Sequence, residues 1–162
     1  MKHAAAVAVE DRLRIDDLYA AYAACLGDER FEEWPDFFTE ECTYRVVPRE
    51  NYDRGLPLAT LSFESKGMLR DRVYGITQTL FHEPYYQRHL ITGLVVRLDD
   101  DGSFRVAANY LVVRTKASAT SEIYNTGRYL DRIVEEAGTL RFREKICVFD
   151  SELIPNSLIY PI

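Results

Sequence analysis

The run from Tyr85 to Ile154 constrains the fold more than any other part of the chain, because it reads as long strands separated by turns. Leu90 to Leu98 and Phe104 to Val113 are rich in β-branched and aromatic residues, and Asp99-Asp100-Asp101-Gly102 lies between them, which predicts a hairpin. A second turn, Glu135-Glu136-Ala137-Gly138, separates Glu122 to Val134 from Thr139 to Ser151. Four consecutive strands joined this way form an antiparallel meander. A sheet of that size needs an element to cover its apolar face.

The first half of the chain offers that cover. Leu13, Leu18, Tyr19, Tyr22, Ala23 and Leu26 recur at helical spacing within Glu10 to Leu26, with Gly27 as the stop. Glu29 to Phe38 predicts a shorter helical piece whose Phe31, Trp34, Phe37 and Phe38 plug one end of the sheet. Cys42 to Pro48 reads as a strand, Arg49 to Leu58 as a loop or irregular edge strand, and Leu58 to Phe63 as a further short strand. Ser65 is a candidate N-cap for a third helix over Lys66 to Thr79. The expected fold is therefore α+β, one domain over residues 1–162: N-terminal helices packed on a strongly curved antiparallel sheet, a cone of the nuclear transport factor two-like (cystatin-like) kind.

Composition narrows the function classes. With 26 acidic and 20 basic residues the net charge is −6, and no basic stripe offers itself to a phosphate backbone, so nucleic acid is not an expected partner. No apolar run approaches the ~20 residues of a membrane span, and the short Ala-Val run near Met1 lacks a signal-peptide core. Cys25, Cys42 and Cys147 are odd in number, lack CxxC spacing and sit among apolar neighbours, which fits buried thiols in a reducing, cytoplasmic setting.

The chemistry-bearing residues are few. His3, His82 and His89 are the three histidines; His82 and His89, seven apart across Pro84, do not have ligand spacing for a mononuclear iron. No cysteine has a histidine near it, so the motif of a Rieske cluster is missing, as are a Gly-rich phosphate loop and a GxSxG elbow. A cavity acid/base site would use His89 with a carboxylate such as Asp36, and Tyr44 or Tyr110 as hydrogen-bond donor. Strand parity puts Leu140, Phe142, Ile146 and Val148 on one side and Arg141, Arg143 and Lys145 on the other, with Glu144 breaking the apolar row. In the preceding strand Asn125 and Asp131 share a face with Tyr129 and Ile133. Mixed faces of this kind meet either solvent or another subunit.

Several ordered segments carry a family resemblance: Trp34 to Tyr44, Arg54-Gly55-Leu56-Pro57, Gly67 to Val73, Tyr86 to Leu90, Gly127 to Asp131, Leu140 to Lys145, Asp150-Ser151, and the tail Tyr160-Pro161-Ile162. From about Ile15 onward the chain resembles the small (beta) subunit of Rieske-type aromatic-ring-hydroxylating oxygenases, in particular those paired with salicylate 5-hydroxylase or terephthalate dioxygenase. The resemblance implies a non-catalytic structural subunit in aromatic-compound catabolism, three small subunits assembled with three large (alpha) ones, and a self-trimer. It places the 2Fe-2S cluster and the mononuclear iron in the large subunit, with none in this chain. The family has no catalytic motif here to carry over. The residues expected at subunit contacts are Arg128, Arg141, Arg143 and Lys145 on uncovered strand faces, with Arg72 and His89 bracing the helix-to-sheet junction. The rival reading is a stand-alone hydro-lyase or isomerase using His89, Asp36 and Tyr44.

Overall fold

The computed structural model describes residues 6–151, 153 and 158–162, so His3 lies outside the described residues. Helix α1 spans Val9–Gly27 and opens with Glu10 and Asp11, whose charges suit the positive end of the helix dipole. Its buried stripe is Ile15, Tyr19, Tyr22, Cys25 and Leu26, whereas Leu13 is 60% exposed. Gly27 is the last helical residue, and the left-handed turn falls on Glu29, with φ 58°. A Cβ on Gly27 would stand 3.5 Å from the Gln87 carbonyl oxygen, an ordinary contact, so neither packing nor backbone conformation demands a glycine there.

A 3-10 turn, Phe31–Phe37, follows. Its Trp34 sits edge-on to Phe38 and Tyr44, at 5.5 and 5.1 Å between ring centroids. Strand β1 (Phe38–Pro48) begins earlier than alternation alone predicts, and the segment after it holds a short helix, α2 (Arg49–Asp53). After β2 (Leu61–Phe63), the Ser65 hydroxyl caps helix α3 (Lys66–Tyr74) by accepting from the Met68 amide. A π-helical turn, Gly75–Thr79, ends the expected third helix.

The remaining strands are β3 (Tyr85–Leu98), β4 (Phe104–Lys116), β5 (Glu122–Glu136) and β6 (Thr139–Phe149). Ala137 and Gly138, both at positive φ, make the tight β5–β6 turn. The sheet order is β2-β1-β6-β5-β4-β3, and β1 runs parallel to β6 while every other pair is antiparallel. The sheet is thus mixed, not purely antiparallel. Alternation reveals that β1 is a strand but carries nothing about the direction of its neighbour.

One irregularity decides the faces of β6. Ile133 pairs with Phe142 but Arg132 pairs with Glu144, so Arg143 is an extra residue, a bulge. Beyond it the parity inverts: Phe142, Lys145, Cys147 and Phe149 point toward the helices, and Ile146 and Val148 point away. Lys145 is consequently fully buried, not on an uncovered face.

Candidate functional site

The inner face of the sheet holds an unusual concentration of polar groups. Asp131 on β5 and Lys145 on β6 are cross-strand neighbours. Their side chains are wholly inaccessible, and the ammonium lies 2.9 Å from the Asp131 Oδ2 atom. The Tyr19 hydroxyl of α1 donates to the same oxygen. The Lys145 Nζ atom stands 3.4 Å from the Tyr129 ring centroid and 4.5 to 5.1 Å from those of Phe142, Tyr22 and Tyr19. Four aromatic faces and one carboxylate therefore replace the water a lysine would otherwise keep. Burial pushes the Asp131 carboxyl above its ordinary range, opposed by the Lys145 charge and the hydrogen bonds it accepts.

The mouth of the cone is closed by the last described residues. Tyr22 and Tyr44 donate their hydroxyls to the Ile162 main-chain oxygen at 2.9 and 3.0 Å, and the Ile162 amide donates to the Tyr44 oxygen. The Arg72 guanidinium donates to the carbonyls of Leu158 and Ile159, both at 2.8 Å. Arg72 thus ties α3 to this tail rather than bracing helix to sheet. Burial lowers its pKa.

His89 projects from β3 into the same interior, with both ring nitrogens buried and no hydrogen-bond partner among the described residues. Burial, and secondarily the Lys145 charge, lower its pKa from 6.5 to about 3. The imidazole is therefore neutral and a very weak base at neutral pH. Asp36, its expected partner, stands instead on the exposed 3-10 turn, with Lys66 at 3.3 Å and its own side chain 71% exposed. Tyr44 is buried but spends its hydroxyl on Ile162. The three members of the expected acid/base set are not brought together, and the interior carboxylate is Asp131. Tyr110 is likewise inside, donating to Asn125 at 2.6 Å.

The remaining expected contact residues lie on the side of the sheet away from α1, where α2 reaches one of them. Arg128 is held by Asp53 at 3.0 Å and covers the Tyr52 ring. Arg141 donates to the Asp36 carbonyl and lies 3.9 Å from Glu136. Arg143, the bulge residue, is exposed and without a partner among the described residues. The same side carries a half-open groove of about 580 Å³ with Arg45, Arg97, Arg105 and Arg132 around Leu130 and Ile146.

A metal or cluster needs converging donors. Among the described residues no three His, Cys, Asp or Glu side chains come together to hold an ion, and the three thiols are buried, apart, and pushed up to about 11, 11 and 12 by that burial. The described residues offer a donor set for neither a Rieske cluster nor a mononuclear iron.

The model of the SnoaL-like domain matches residues 7–145. The anthranilate 1,2-dioxygenase small subunit of Burkholderia cepacia is 36% identical over 141 residues, which is 87% of this chain and 88% of that one. The chain belongs to the SnoaL-like family, among the small subunits of aromatic-ring-hydroxylating dioxygenases. The beta 2 subunit of the terminal oxygenase component of terephthalate 1,2-dioxygenase from Comamonas is 28% identical to this small subunit, over 94% of this chain and 99% of that one. The crystal structure of a beta subunit assigned to an aromatic-ring-hydroxylating dioxygenase of Novosphingobium aromaticivorans superposes with a TM-score of 0.86 at 38% identity, covering 94% and 97% of the two chains.

Asp131 was the functional-looking residue hardest to find from sequence, because its partners come from distant elements, Lys145 from β6 and Tyr19 from α1. The available signal was Glu144. A charge in the apolar row of β6 marks the place where parity changes, and shifting the row by one residue brings Lys145 opposite Asp131.

Proposed function

We propose that this small subunit is a non-catalytic, structural component of a Rieske-type oxygenase that hydroxylates an aromatic carboxylic acid, with the cluster and the iron carried by a large subunit. The observation that supports it is the state of the cone interior. Among the described residues the interior carboxylate, Asp131, is wholly buried in an ion pair with Lys145, and the interior histidine, His89, is held neutral with a pKa of about 3. Anthranilate and terephthalate, named for the relatives, are both aromatic carboxylates, which supports that substrate class. The proposed assembly has three large and three small subunits, the small ones forming a trimer, in the cytoplasm; three free thiols suit a reducing compartment.

The test is turnover. The complex with its large subunit and electron donors is expected to hydroxylate aromatic carboxylates in preference to uncharged arenes, the isolated chain to transform none, and a complex carrying His89→Asn to keep its kcat. Dehydration or isomerisation by the isolated chain, lost in His89→Asn, would contradict the reading.

A further inference from the structure

Residues 158–162 lie in the mouth of the cone as a bound ligand would. Leu158, Tyr160, Pro161 and Ile162 are buried. The Tyr160 ring packs against Phe31 and Tyr85, at 4.6 and 4.3 Å between centroids, with the His82 ring edge-on at 5.2 Å and the His82 Nε2 atom 2.9 Å from the Tyr160 hydroxyl. Most polar contacts of the segment are made by its oxygens as acceptors. Leu158 and Ile159 accept from Arg72, Pro161 from the Gln87 side-chain amide at 3.2 Å, and Ile162 from the phenols of Tyr22 and Tyr44. The amides of Tyr160 and Ile162 donate back to the hydroxyls of Tyr85 and Tyr44. What these side chains receive is an aromatic ring accompanied by oxygen acceptors.

Each receiving group is fixed by an element of its own. Tyr22 on α1 meets Phe37 and Phe142 edge-on, and its hydroxyl oxygen accepts from the Trp34 Nε1 atom. Tyr44 on β1 stacks on Phe63 and stands edge-on to Trp34 and Phe38. Tyr85 and Gln87 are buried positions of β3, paired with Lys116 and Arg114 of β4, and Arg72 belongs to the capped α3. A hollow with walls held in this way keeps its shape without its occupant, and a preformed site loses little to ordering when it binds. The tail also leaves part of the site unused. Both Arg72 bonds leave from the Nη2 atom, while its Nε atom is buried without a partner among the described residues, as is the Gln87 Oε1 atom. Tyr44, Tyr85 and Tyr124, and no carboxylate, are the titratable groups that act on the Arg72 charge. A carboxylate set side-on to a guanidinium takes Nε and Nη2 together, which two carbonyls on a single nitrogen do not.

We propose that the hollow under residues 158–162 is a binding site for an aromatic carboxylate, its ring against Phe31 and Tyr85 and its carboxylate on Arg72, and that the tail is the internal ligand it displaces. The site binds without turnover. It belongs to this chain alone and does not rest on the small-subunit reading.

The experiment uses the full chain carrying Tyr160→Ala and Ile162→Ala together, which takes the ring and the most deeply buried side chain of the tail out of the hollow. The probe is 4-hydroxybenzoate, which keeps the phenol that meets His82, and 4-hydroxybenzyl alcohol is its uncharged counterpart, both in isothermal titration. The double variant is expected to melt cooperatively, to bind the acid at least about tenfold more tightly than wild type does, to prefer acid over alcohol by at least about tenfold, and to lose the gain when Arg72→Gln is added. Affinity for the acid no higher than that of wild type overturns the proposal. So does equal affinity for acid and alcohol, or a gain that survives Arg72→Gln, since the hollow is then only an apolar cavity made by the substitutions. A double variant that fails to fold also overturns it, because the tail and not the walls would then make the hollow.

Discussion

His89 carries a pH dependence that follows from its burial. In the unfolded chain its pKa is the ordinary 6.5, and in the folded protein it is about 3. Below pH 6.5 the unfolded state takes up a proton that the folded state refuses, so stability falls as pH falls toward 3. At pH 5 the loss from this one group is about 2 kcal/mol relative to pH 8. Urea unfolding of wild type and His89→Asn at the two pH values is expected to show a pH-induced loss smaller by about that amount in the variant; equal losses would mean that His89 is solvated in the native state. The sequence offered His89 as a contact residue at the helix-to-sheet junction and, in the rival reading, as a base beside Asp36; its ring is buried in the interior of the fold, and Asp36 lies on the 3-10 turn beside Lys66 with its side chain in solvent. Spacing along the chain cannot choose among acidic residues from different elements. The interior charges, Asp131 and Lys145, are set by cross-strand register.

At the level of elements, α1, the capped α3 and the four-strand meander were legible because periodicity and turn chemistry are local signals. The Arg143 bulge was not, and it moved Lys145 from the expected contact face into the core. Gly127 shows what a short motif can encode. A Cβ there would meet the Val148 carbonyl oxygen at 1.9 Å and the Phe149 Cα at 2.8 Å, because β5 and β6 approach closely at this rung. Both atoms belong to backbone of a central strand and cannot turn aside. Gly127→Ala is therefore expected to cost about 2–3 kcal/mol and to lower the melting temperature by roughly 5–10 °C. A melting curve unchanged within a degree would show that β6 gives way without penalty.

The whole molecule is a cone of helices on a mixed six-strand sheet, with charged and aromatic groups packed inside it. Inside, the Asp131–Lys145 ion pair, four aromatic rings and the Ile162 tail pair most of the buried polar groups, while both His89 ring nitrogens, the Tyr129 hydroxyl and the second Asp131 oxygen have no partner among the described residues. Outside, Phe81, Tyr86, Leu90 and Ile123 are exposed, as is the bulge arginine Arg143. The parallel β1–β6 pairing that completes the sheet was not readable from either strand, since direction is settled only when distant elements meet. Among the described residues no helix is long and apolar enough to cross a membrane. Membership of a larger oxygenase is tested by co-purification: tagged small subunit, co-expressed with a large subunit of an aromatic-ring-hydroxylating oxygenase, captured and examined by absorption spectroscopy. A red-brown, equimolar complex with Rieske absorbance is the predicted result. A colourless chain that assembles only with itself would contradict it.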